Sequence, residues 1–156
     1  MNTYLKIIAL LGVLLGTTLN AAYPDEFKPV VKIFSGMSLF DHDMIKSAVV
    51  DDFILLEQGD VWDTDILLSY VKPANFVRKN HFNIISMHPV GDAVLINYWN
   101  EAHITSKGKE TVVAWLESVV SVKTKDGWKL QQMHSTRINN ESIPDDVDMV
   151  EMSLVK

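Results

Sequence analysis

The stretch AVLINYWNEAHITSKGKETVVAWLESVVSVKTKDGWKLQQMHSTRI, residues 93–138, decides the fold. Within it β-branched and aromatic residues alternate with polar ones, and the alternation breaks only at turn-type residues, Lys107-Gly108 and Lys125-Asp126-Gly127. That is the pattern of long antiparallel strands joined by hairpins. A further break at Pro89-Val90-Gly91-Asp92 extends it upstream, so that 76–138 reads as a four-stranded meander.

The turns also imply a register. A two-residue turn at Lys107-Gly108 sets Ser106 opposite Lys109, and therefore Asn97 opposite Ser118 and Trp99 opposite Leu116. A three-residue loop at Lys125-Asp126-Gly127 sets Thr124 opposite Trp128, and therefore Ser118 opposite His134. Asn97, Ser118 and His134 then form a row across three strands. Strict alternation puts Leu95, Trp99, Leu116, Val120, Trp128 and Leu130 on the same face, which on that count is the one the helices cover. The row, with Gln132 and Thr136 beside it, is expected to line an internal pocket, because buried polar groups need partners, water or a ligand. A shift of one residue at the second turn would bring Glu117 opposite His134 instead. The other face carries Tyr98, Trp115, Glu117, Met133 and Arg137, and its aromatic character predicts a homodimer interface with Glu117 and Arg137 as a charged pair.

Ahead of the meander, Phe27, Val30, Val31, Phe34 and Met37 recur at helical spacing within 24–39. A second helix is expected from an Asp41 or Asp43 cap to about Asp51-Asp52, followed by a strand over 53–58. A third starts at Asp63 or Thr64 and is closed by Pro73. The first residues combine Lys6, the apolar run Ile7 to Leu15 and the small-residue end Ala21-Ala22. This predicts a signal peptide over 1–22, a domain over 23–138 and an acidic tail over 139–156, in a periplasmic or secreted protein that leaves no membrane anchor after cleavage. The whole chain carries a net charge of −6 and no cysteine. Nucleic acid is therefore a poor partner, and disulfides and thiolate chemistry are excluded.

Three helices, a strand and a curved meander bear the phrases Asp51-Asp52-Phe53, Leu56-Glu57-Gln58-Gly59, Trp115-Leu116-Glu117-Ser118, Gly127-Trp128-Lys129-Leu130 and Met133-His134-Ser135-Thr136. From about Pro29 to Ile138 this resembles the nuclear transport factor 2-like (NTF2-like) superfamily, in its SnoaL-like branch. The resemblance implies a cone-shaped α+β fold, three N-terminal helices packed on a strongly curved antiparallel sheet, with an apolar pocket between them and frequent dimerisation. Members include isomerases, polyketide cyclases, dehydratases and non-enzymatic binders.

His134 has two readings, a general acid or base on the pocket wall and a structural imidazole held by Ser118 and Asn97. Glu57 is the candidate second titrating group, since a carboxylate beside an apolar cavity has a raised pKa. Trp62, Trp99 and Tyr70 would supply an aromatic lining. His81, His88 and His103 lack the spacing of a metal motif, and neither a metal nor another cofactor is expected. The expected function is an exported pocket protein for a small apolar molecule, with proton transfer on a carbonyl compound. The alternative is a non-catalytic ligand-binding or dimeric assembly module.

Overall fold

A computed structural model describes residues 23–154; the expected signal peptide lies outside them. A 3-10 turn, Asp25–Phe27, leads into α1, Lys28–Leu39, and then come α2, His42–Ala48, β1, Val49–Glu57, β2, Asp60–Trp62, and α3, Thr64–Tyr70. The meander follows as β3, Val77–Val90, β4, Ala93–Ser106, β5, Lys109–Thr124, and β6, Gly127–Ile138. The expected caps are made: Asp41 accepts the Met44 N–H at 2.9 Å and Asp63 accepts the Ile66 N–H at 2.8 Å. The second helix is shorter than its sequence predicts. Val49 and Val50 are β-branched and pass directly into β1, so that Asp51 and Asp52 are strand residues and not a helix end.

One mixed seven-stranded sheet results, in the order β2-β1-β6-β5-β4-β3-β7, where β7 is Val150–Glu151. β1 runs parallel to β6 and the other pairings are antiparallel. The segment after residue 138, whose sequence has no legible period, returns across the edge to pair Glu151 with His81 and Val150 with Phe82.

The row Asn97, Ser118 and His134 exists as the turns imply, but the second turn reaches it differently. Thr124 faces Gly127 and Lys123 faces Trp128, a two-residue connection, and an irregularity between Val120 and Ser121 then adds the residue that restores Ser118 opposite His134. This bulge changes which side Leu130 faces. Leu130 is fully buried with Met133, while Gln131 and Gln132 between them are both exposed. Bulges break the two-residue period and bend the strand. A count that carried Trp128 and Leu130 onto the His134 face therefore selected the wrong side as interior.

The helices cover the opposite face. Phe27 packs edge-on against Phe82 and Tyr98, with ring centroids 5.6 and 5.1 Å apart, and Phe34 against Phe82 at 5.3 Å. Ile96, Tyr98, Val119, Leu130 and Met133 complete this core with Val30 and Val31. The face expected to be a dimer interface is thus the inside of the molecule: Tyr98 is fully buried, and Glu117 and Met133 are nearly so.

α1 and α2 meet closely at Gly36, where an added Cβ would lie 2.7 Å from Ile45 Cγ1 and 3.0 Å from the Asp41 carbonyl oxygen. Helix propensity alone would make Gly36→Ala stabilising by about 1 kcal/mol. Overpacking of about 1–3 kcal/mol opposes it. The expected result is a lower urea midpoint with an unchanged slope; a raised midpoint would show that the contact yields.

Candidate functional site

Between the helices and the inner face lies a cavity of about 240 Å³. α1 contributes Ile33, Phe34 and Met37 to its wall, α3 and its end contribute Leu67, Tyr70 and Val71, and the sheet contributes Leu55, Glu57, Arg78, Trp115, Glu117, Met133 and Ser135. Trp62 on β2 stacks on Tyr70, with centroids 4.6 Å apart and planes within 8°. The size is below the roughly 300–1,000 Å³ of drug-sized sites, so a small ligand is the one that fits.

Glu117 faces inward from the middle of β5, is 3% exposed, and lines the cavity. Ser135 Oγ donates to its Oε1 at 2.9 Å and Asn100 Nδ2 to its Oε2 at 3.1 Å. Burial disfavours the carboxylate and pushes its pKa from 4.5 to about 7; the opposing pulls of Ser135, Tyr98, Asn100 and the Arg78 charge are too weak to cancel it. The Tyr98 hydroxyl is near enough to act on this carboxylate, yet it meets hydrogen-bond geometry with no described partner, and Asn100 Oδ1 is also unpartnered. The phenol's own pKa is raised, first by burial and then by the Glu117 charge.

Arg78 enters from β3. Its Nε donates to Asn80 Oδ1 at 2.7 Å, and its guanidinium lies 5.5 Å from the Phe34 ring centroid and 5.8 Å from that of Trp115. Burial lowers its pKa to about 10, which leaves it cationic at neutral pH. The cavity therefore holds a permanent cation and a carboxyl group that changes charge near neutrality.

Of the residues expected at a pocket, Glu57, Trp62 and Tyr70 line this cavity. His134 does not: it is exposed on the outer face, in a groove that it shares with Ile85, Asn97, Leu116, Ser118 and Thr136 and that Glu117 also borders. Gln132 is exposed, and Trp99 is half-buried on the same outer side. No side-chain hydrogen bond joins His134 to Ser118 or Asn97; Asn97 instead donates to Ser86 Oγ at 2.9 Å. The expected place of His134 on the inner wall is thereby corrected, because the period-two count inverted the faces. The expected pair of Glu117 with Arg137 is also absent: Arg137 is exposed and the cation acting on Glu117 is Arg78. Trp115 is half-buried at the cavity rather than on an outer interface. Arg78 carried no sequence signal, since a basic residue at the head of a strand is ordinarily solvated. Among the described residues no cluster of three or more His, Cys, Asp or Glu could hold a metal ion.

The native state keeps its Glu117 proton up to about pH 7, whereas an unfolded chain loses it near 4.5. Stability from this group is complete below pH 4.5 and is lost as pH rises through 7, by up to roughly 3 kcal/mol. Urea unfolding of wild type and Glu117→Gln across this range is expected to show the variant gaining by about that amount relative to wild type as pH rises. Parallel pH profiles would disprove the buried titration.

No family model matches the chain, and no curated protein sequence does. Solved structures do. An NTF2-like protein of unknown function in nutrient uptake from Rhodospirillum rubrum is 15% identical, with a TM-score of 0.62 over 74% of this chain and 100% of that one. A ketosteroid isomerase-like protein from Erwinia carotovora atroseptica is 16% identical, with a TM-score of 0.56 over 72% and 92%. The association domain of C. elegans CaMKII is 15% identical, with a TM-score of 0.61 over 72% and 92%. Likeness at this identity reaches the fold and singles out no branch within it. With its helices laid over one face of a bulged, curved sheet, the chain has the NTF2-like fold.

Proposed function

We propose that the chain is an exported pocket protein that binds a small, largely apolar carbonyl compound in the inner cavity and performs proton transfer on it through Glu117. One observation carries this: a buried carboxyl with a pKa of about 7 sits on the wall of a largely apolar cavity. A general acid or base works best when its pKa lies near the operating pH. Glu57 is a second carboxylate on the same cavity, and a ketosteroid isomerase-like neighbour is in keeping with isomerase-type chemistry. Export rests on the leader-like composition of residues 1–22.

The direct test is exchange of α-protons for deuterium in a panel of small enolisable ketones, followed by NMR in D₂O. Wild type is expected to accelerate exchange, Glu117→Gln to lower that acceleration by about 10²–10⁴-fold, and His134→Ala to leave it unchanged. No acceleration by wild type would remove the catalytic part of the proposal.

A second reading, assembly, is favoured by the outer face. Leu95, Leu116, Ile85 and Ile54 are each 39–47% exposed around the Asn97, Ser118 and His134 row. Exposed apolar surface of this kind marks interfaces, and hub and association domains are among the structural neighbours. On this reading a second copy of the chain covers the face. Leu116→Glu is expected to convert the sedimenting species to monomer without altering ligand binding in the inner cavity; a wild type that sediments as a monomer at all concentrations would refute it.

A further inference from the structure

We propose that the molecule bound in the inner cavity is a small carboxylic acid, its carboxylate seated on the Arg78 guanidinium and its apolar body against the wall formed by Phe34, Met37, Leu67 and Met133. This rests on the reading of that cavity as a ligand site and adds the chemical class of the ligand.

The guanidinium takes part in none of the ion pairs among the described residues, which join Lys28 to Asp25, Lys79 to Glu151, His81 to Glu151, and His103 to Glu101 and Glu110. Holding a cation on an apolar wall without an anion is costly. Part of that cost is offset by the rings of Phe34 and Trp115. The remainder is what a bound anion would remove.

The orientation of the group is built rather than incidental. Its Nε is held by Asn80, which is 5% exposed. Asn80 is itself fixed, because its Nδ2 donates to Ser38 Oγ at 2.9 Å and to the Phe34 carbonyl at 3.3 Å. The two Nη groups make no hydrogen bond to the protein among the described residues. What the fork leaves open is an edge with parallel N–H donors, which matches a carboxylate in bidentate geometry.

The rest of the cavity narrows the choice. Its volume of about 240 Å³ and its aromatic and aliphatic wall admit one ring or a short branched chain. A phosphate would bring a second negative charge into that wall beside Glu117, for which Arg78 is the only cation among the residues lining the cavity. Arg78 also borders a surface groove with Ser38, Phe76 and Glu151, so the test separates the two sides.

Phenylacetate and phenylacetamide have nearly the same shape and differ in charge. By titration calorimetry on the full chain, wild type is expected to bind phenylacetate at least tenfold more tightly than phenylacetamide. Arg78→Met is expected to erase the preference by weakening the acid alone, and Arg78→Gln carries the same expectation if the methionine variant does not fold by thermal melting. Met37→Trp, which fills the inner cavity, is expected to abolish binding of both. Equal or tighter binding of the amide by wild type overturns the inference and leaves the cavity as a ligand site. A preference for the acid that survives loss of Arg78, or binding that survives Met37→Trp, places the anion elsewhere and overturns it as well. Failure of wild type to bind either probe overturns both the inference and the ligand-site reading beneath it.

Discussion

The packing of the first helix on one side of the sheet is the constraint on which the rest of the structure depends. Phe27, just ahead of α1, sets its ring edge-on to both Phe82 and Tyr98, and Phe34, about two turns further along, meets Phe82 again. Aromatic pairs of this geometry add to the free energy of burying their area. Once these rings are buried, the same-face residues in the middle of β4, β5 and β6 are buried with them. Glu117 is inside for that reason: it shares its face with Val119 and Tyr98, and its position follows from theirs.

A buried carboxyl and a half-buried guanidinium on one cavity wall do not neutralise each other here. No ion pair forms between them, and the Arg78 charge is the smallest of the influences on Glu117. Desolvation dominates both groups, raising the acid and lowering the base. Ser135 and Asn100 satisfy the Glu117 oxygens, whereas Tyr98 and Asn100 keep polar atoms without partners.

The closing segment supports this site from outside. The Met152 N–H donates to the Asn80 carbonyl at 3.1 Å and the Leu154 N–H to Ser35 Oγ at 3.0 Å. The first contact ties the segment beyond β7 to Asn80, which holds Arg78 in place, and the second ties it to α1. A stretch of sequence with no period of its own is ordered by the edge it completes, since an exposed β3 edge offers unpaired backbone groups that another strand can satisfy.

The sequence by itself determined the three helices, the caps at Asp41 and Asp63, the four strands of the meander and the first hairpin with Asn97 opposite Ser118, because turn residues and two-residue alternation are local properties of the chain; Ser118 faces His134 as expected only because the bulge offsets the shorter second turn. It also marked Glu57, Trp62 and Tyr70 as cavity residues. Only the tertiary structure decided which face is inside. Both faces of the meander mix apolar and polar residues, so alternation alone does not rank them, and the bulge near Val120 moves Leu130 to the side of Met133 where no local signal records it. That one inversion exchanges the places of His134 and Glu117, outside and inside. Arg78 likewise becomes a site residue only when α1 brings Phe34 to one side of it and β5 brings Trp115, because its meaning comes from surroundings distant in the chain.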